Sequence, residues 1–318
     1  MQKPSQKNKL VILLFVILIS CFLHVFYSEG EFLHLSSPLD QAIFFEIRLP
    51  RVIMCLLSGV ILSFTGLLFQ TILNNMLADS YSLGLASGAS LGAGLGVVLG
   101  VSYIAIALLS ISMSILSLVL ILLLASIFRN RQVALILFGM FLNMFFASVL
   151  YVLLLLNPNK QQQMLNYLFG SLSSVDLMDV ILVGCVTLIG IIIIGYHYHS
   201  LSLMRLGELT SKSLGMSYTK LMYLLLLVAS IMTAVLISVT GIIGFVGLVI
   251  PAMMKHVKGR FYDQTILTVL FGMLVLVLGD FIGKNIVYPI EIPVSIMMSI
   301  IGCPMLFYLL IRELKYTR

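Results

Sequence analysis

From residue 82 to residue 128 no charged side chain interrupts the chain. About 20 apolar residues suffice for a helix to cross the hydrocarbon core of a bilayer. This stretch therefore holds two crossings, and the sequence predicts a cut near Gly100–Tyr103. Inside lipid every backbone amide and carbonyl must be paired within the protein, so only helices and closed barrels are stable there. Unbroken apolar runs, without the alternation of barrel strands, select helices. Runs of the same kind lie near 10–28, 50–73, 82–101, 103–128, 133–156, 178–198, 219–240, 242–257, 264–283 and 293–312. The expected fold class is an all-α, polytopic membrane protein with about ten transmembrane helices, forming one domain over residues 1–318. The eighth run is the shortest and is rich in glycine. Composition agrees: 61% of residues are hydrophobic and 9% charged, against roughly 25% charged in soluble domains.

The net charge of +6 reports topology, not an affinity for nucleic acid. With ten spans and the N-terminus inside, Lys3, Lys7, Lys9, Arg129, Arg131, Arg205, Lys212, Lys220, Lys255, Lys258, Arg260, Arg312, Lys315 and Arg318 fall on the cytosolic side. Only Arg48, Arg51, Lys160 and Lys284 fall outside. This is the sorting that the positive-inside rule demands, and the reverse orientation would violate it. The basic residues before the first run resemble a signal sequence, and Leu18-Ile-Ser-Cys21 resembles a lipoprotein box. An uncleaved first span is the preferred reading.

The segment Thr240–Pro251 is almost wholly apolar, yet it places glycine at 241, 244 and 247 and ends in proline. Glycines at three-residue steps admit a neighbouring backbone, and Pro251 disturbs the helix. Interrupted helices of this kind are favoured where cargo passes or helices shift. Gly84, Gly88, Gly92, Gly96 and Gly100 recur every four residues, a ladder that predicts a tightly packed helix; a helix facing the transport path is the sharper alternative. Val60–Leu68 echoes Val235–Ile243, and an inverted repeat and chance explain this short match equally well. Residues 199–219 form the longest cytosolic connection. They mix Leu203, Met204, Leu206, Leu209, Leu214 and Met216 with polar residues and carry breaks at Gly207 and Gly215. Two short amphipathic helices that dock a soluble partner fit this pattern.

Enzymatic signatures are missing. There is no Gly-x-x-x-x-Gly-Lys-Ser/Thr loop, no His-Glu-x-x-His and no Gly-x-Ser-x-Gly. His24, His34, His197, His199 and His256 are expected at helix ends or in loops, unclustered. Cys21, Cys55, Cys185 and Cys303 read as packing residues. Asp280 is the carboxylate nearest a span interior, and Lys284, one turn on, is its expected partner.

Taken in order, several motifs resemble those of the permease subunits of ABC importers for iron–siderophores, haem and cobalamin. They are Arg48-Leu-Pro-Arg51, then Gly59, Gly66 and Gln70, Asn75-Met-Leu-Ala78, Leu83-Gly84 with Ser87-Gly-Ala89, Leu206-Gly-Glu208 with Leu214-Gly215, Gly241-Ile-Ile-Gly244-Phe245-Val-Gly247 up to Pro251, Glu291-Ile-Pro293, and Ile301-Gly-Cys-Pro304. The resemblance runs from Arg48 to the C-terminus. It implies a ten-helix subunit of the bacterial plasma membrane with both termini cytoplasmic. It also implies pairing with a second copy or a paralogous permease, two cytosolic ATPases and an extracellular substrate-binding lipoprotein. The ATPases would dock on Arg205, Leu206, Gly207, Glu208, Ser213, Leu214 and Gly215; the lipoprotein would dock on Arg48, Arg51 and Lys284. Gly66, Gln70, Asn75, Gly84, Gly88, Gly241, Gly244, Phe245, Gly247 and Pro251 would form the packing and translocation motif. The chain would bind no cofactor or metal of its own, with ATP used by the partners. The expected cargo is an iron chelate, siderophore or haem; cobalamin import and a stand-alone secondary transporter are the alternatives. Three positions depart from the family pattern: Met76 and Ser80 replace prolines, and Ala252 replaces a histidine.

Overall fold

The computed structural model describes residues 6–28, 31–33, 37–128, 131–255, 257, 259–287 and 290–316. His34 and His256 lie outside them, as do Lys3, Arg129, Lys258 and Arg318. The chain forms α1 (Gln6–Phe26), α2 (Pro38–Ala42), α3 (Leu49–Leu73), α4 (Leu85–Leu99), α5 (Tyr103–Ser126), α6 (Arg131–Leu156), α7 (Gln161–Phe169), α8 (Leu177–Tyr196), α9 (Tyr198–Met204), α10 (Glu208–Ser213), α11 (Tyr218–Thr240), α12 (Val246–Met254), α13 (Phe261–Asn285) and α14 (Val294–Tyr316). A wide π-turn, Ile43–Arg48, leads into α3, and a two-residue antiparallel bridge pairs Tyr27–Ser28 with Glu31–Phe32.

Seven helices among the described residues are long and apolar enough to cross a membrane: the helical stretch Pro38–Leu73, which includes α3, and those within α5, α6, α8, α11, α13 and α14. Two shorter apolar helices accompany them, Leu10–Phe26 within α1 and Leu85–Leu99. The eighth expected run, 242–257, is helical only in part. Residues 241–245 are not helical, and α12 has only nine residues, too few to cross alone. The chain does break after Leu99, as read from the sequence. Gly100 ends α4 in a left-handed conformation and α5 opens at Tyr103.

α3, α11 and α13 form the centre. Their buried faces hold Ile61, Leu68, Phe69, Leu225, Met232, Leu276 and Val277. α6 and α8 instead expose Phe141, Met144, Phe145, Ile189 and Ile192, the outward apolar surface that lipid requires. The glycine ladder packs as a structural element. A Cβ on Gly88 would meet the Met113 carbonyl at 3.0 Å, and one on Gly92 or Gly96 would run into α5 at Leu109 or Ile106. Small residues are therefore what lets α4 lie against α5. The echo between 60–68 and 235–243 ends at its glycine: Gly66 is helical, whereas Gly241 has φ +71° and ends α11.

Candidate functional site

The 199–219 connection folds as expected into two short helices, α9 and α10, turned by Gly207 and Gly215 at φ +89° and +82°. One face is anchored. Leu201 and Met204 are buried, and the buried Ser211 hydroxyl donates to the carbonyls of Leu203 (2.9 Å) and Gly207 (2.7 Å), tying α10 to α9. The Tyr218 hydroxyl donates to Ile72 O at 2.9 Å, joining the start of α11 to the end of α3. Tyr198 stacks on Phe261 at 5.4 Å, and the Arg205 guanidinium lies 4.8 Å over the same ring. Thr265 Oγ1 donates to Phe261 O (2.9 Å), so Tyr198 is the donor in its 3.0 Å contact with Thr265. Burial pushes the Tyr198 phenol up, which keeps that proton in place.

The other face is open. Leu206, Leu209 and Leu214 are exposed, Leu209 by 86%. Glu208 and Lys212 form an exposed pair at 2.6 Å along α10, and the Ser213 hydroxyl bonds back to Thr210 O. Apolar side chains presented to water on a rigid, anchored platform suit a protein partner. The sequence reading missed Ser211, Tyr218, Tyr198 and Phe261, which hold the platform. None of the four left a local signal; Ser211 is one of five polar residues in the six of α10.

Beside the platform lies a cleft lined by Gln70, Asn75, Met76, Arg205, Pro251 and Lys255. It reaches from Arg205, between α9 and α10, to Pro251 of α12. There Gly66 meets Gly247 so closely that a Cβ on Gly66 would overlap the Gly247 carbonyl. Gln70 Nε2 donates to Leu248 O at 2.8 Å across the same crossing. Gly241 packs on the Asn166 carbonyl; Ser171 N donates to Thr240 O (2.8 Å) and Ile242 N to Tyr167 O (3.2 Å). The non-helical stretch is thus held by the end of α7. Phe245 has φ +67°, a left-handed conformation that is costly for a bulky residue and marks a constrained site. The space beside Gly244 is open. Asn75 Oδ1 accepts from Leu77 N at 2.9 Å and shapes the turn after α3. Next to it, Asp79 and Ser82 exchange hydrogen bonds of 2.8 and 2.7 Å, and burial raises the Asp79 carboxyl. Gly84 caps α4, its carbonyl accepting from Ser117 Oγ at 2.9 Å. Ala252 is buried in one cluster with Val249 and Leu309. Ser80 O accepts from both Leu85 and Ala86 N at 3.0 Å.

At the opposite end the structure corrects three expectations. Asp280 does not take Lys284 as its partner. It accepts from Arg51 Nε (2.7 Å) and Nη2 (3.1 Å), and from His24 Nε2 (2.8 Å). His24 sits in the last turn of α1, at a helix end as expected, but it is buried and not unclustered: its ring groups with Cys55 and Asp280, their ligand-type atoms all within 4.8 Å. Both oxygens of Asp280 are already engaged, and a metal cation there would face a guanidinium. The cluster therefore reads as a structural charge network spanning α1, α3 and α13. Third, Arg51 is only 5% exposed and also holds Glu291, so its guanidinium is not displayed for a partner. Arg48 is half-buried and donates to Val25 O at 2.9 Å; Lys284 is half-buried too. As for the cysteines, Cys55 is buried as a packing residue should be, but Cys185 and Cys303 lie exposed on helix surfaces.

The model of the FecCD transport family matches residues 10–312. The chain belongs to the FecCD transport family. Among its relatives, a probable iron chelatin transport system permease protein of Helicobacter pylori strain J99 is 35% identical over 289 residues, covering 89% of this chain and 87% of that one. An ABC transporter permease of Bacillus subtilis named YvrB, itself uncharacterised, is 33% identical and covers 91% and 85%. A solved ABC transporter described as of putative metal-chelate type, captured in an inward-facing conformation, superposes with a TM-score of 0.85 over 96% of this chain and 99% of its own, at 24% identity; this likeness concerns the fold. The FecCD assignment matches the family that the ordered motifs indicated, and this FecCD protein is a multi-pass membrane permease.

Proposed function

We propose that the chain is the transmembrane permease subunit of an ABC importer that moves an iron chelate, a siderophore or haem, into the cytoplasm of a bacterium. The observation that carries this reading is the anchored platform of α9 and α10 with its exposed leucines, in a chain matched to the family over residues 10–312. Residues 1–318 act as one transmembrane domain, with 199–219 as its coupling loop. The ten sequence runs count as ten crossings, α12 being completed by the non-helical stretch before it, and both termini are cytoplasmic. Two ATPase subunits bind the platform. The permease pairs with a second copy or a paralogue. The chain itself holds neither ATP nor metal.

The geometry suggests how such a subunit works. An ATPase that closes pushes on Leu206, Leu209 and Leu214. The push passes through Tyr198, Arg205 and Phe261 to the start of α13, and through Tyr218 to the end of α3. α3 carries Gly66, which bears on Gly247 at the break. Movement of the platform is thereby converted into movement of the residue 241–251 segment beside the path. Purified permease reconstituted with its ATPases is expected to accumulate chelate only with ATP; accumulation by the permease alone on an ion gradient would overturn the proposal. Leu214→Asp is expected to leave insertion intact and cut uptake by about tenfold or more, the loss typical of a buried apolar anchor at an interface. Assays of ATP hydrolysis and uptake on the same proteoliposomes check this. On the outer side, an acidic binding lipoprotein docks over Arg48 and Lys284 through complementary charge. Arg48→Glu should weaken that docking at low salt, as read by binding kinetics on nanodiscs.

A further inference from the structure

Arg51 divides one guanidinium between two carboxylates of unequal burial. Nε and Nη2 grip both oxygens of Asp280, whose side chain is 2% exposed. Nη1 lies 3.0 and 2.9 Å from the two oxygens of Glu291, whose side chain is 39% exposed. Glu291 belongs to the non-helical turn before α14. The next residue is fixed, since Ile292 N donates to Gly283 O at 3.0 Å. Glu291 can therefore swing away without moving the backbone that follows it. Arg48, Arg51 and Glu291 all act electrostatically on Lys284, so three cations gather at this rim beside the Glu291 carboxylate.

We infer that Glu291 is an internal stand-in for a carboxylate of the docking partner. A partner's Asp or Glu would displace it from Nη1, while Asp280 keeps the guanidinium aimed. This rests on the docking of an acidic lipoprotein proposed above. The two halves of the Arg51 site suit the exchange. A buried, fully hydrogen-bonded ion pair is costly to break because the charge left behind has lost its water. A partly solvated pair contributes little, so the Glu291 half is the exchangeable one. The partner is thus an acidic protein surface. Arg51, although buried, is a specificity residue within it, reached only when Glu291 leaves.

The test measures docking of the purified lipoprotein encoded with this permease onto the complete transporter in nanodiscs. Glu291→Gln removes the competing charge and is expected to tighten binding by roughly three- to tenfold at low salt, about what loss of one partly exposed ion pair allows. Glu291→Asp, which keeps the charge but shortens its reach, should fall between the two and serves if the glutamine variant folds poorly. Equal or weaker binding in both variants, with Arg48→Glu still weakening docking, overturns the stand-in and leaves the docking surface standing. If none of the three changes binding, the docking reading itself falls.

Discussion

Asp280→Ala is expected to destabilise the permease by about 3–5 kcal/mol, the cost of stripping one partner from a buried ion pair. The carboxylate is 1% exposed and accepts from both Arg51 and His24. Its removal leaves a guanidinium among the ends of α1, α3 and α13 with only the half-exposed Glu291 to face. Asp280→Asn keeps the shape and one acceptor oxygen, so its loss should be smaller. The chain lacks tryptophan, but Cys55 is buried beside the cluster. In a background with Cys21, Cys185 and Cys303 changed to Ser, thermal unfolding followed by a thiol-reactive fluorophore therefore reports on this region. An alanine variant that melts like the parent would mean that the network stabilises nothing.

Gly66→Ala is expected to damage transport severely. The added Cβ would overlap the Gly247 carbonyl, and backbone cannot step aside as a flexible side chain can. Overpacking of this kind costs about 1–3 kcal/mol. Here it also displaces the contact by which α3 bears on the broken segment, so uptake is expected to fall further than stability. Gly244→Ala is the control, because the space beside Gly244 is open. Chelate uptake and thermal unfolding, measured on both variants, separate the two effects. Equal behaviour of the two would remove the α3–α12 crossing from the mechanism.

Much of this architecture could be read in advance, and the parts that could not have a common cause. The apolar runs located the long helices because crossing lipid imposes a length and forbids charge. The cut at Gly100 and the two helices of 199–219 followed from glycine punctuating apolar stretches. The partner of Asp280 did not follow. One-dimensional spacing offers Lys284 at one helical turn, whereas the true partners lie 229 and 256 positions away on α3 and α1. Which faces meet depends on helix order and rotation, and neither leaves a local trace. For the same reason Arg51 looked displayed when it is enclosed. The eighth run is apolar from Ile242 to Met254, so its glycines marked an interruption but hydropathy could not reveal that residues 241–245 are not helical.

The shortness of α12 bears on how the protein is made. Nine residues do not hold themselves across a bilayer, and α4, with its many glycines, offers little side chain to lipid. Such segments partition weakly when they leave the ribosome one at a time. α12 finds its stabilising surface, the groove over Gly66, on a helix synthesised long before it. Insertion of the C-terminal third must therefore wait on an already settled N-terminal third, and the translocation machinery has to keep the two together until they meet.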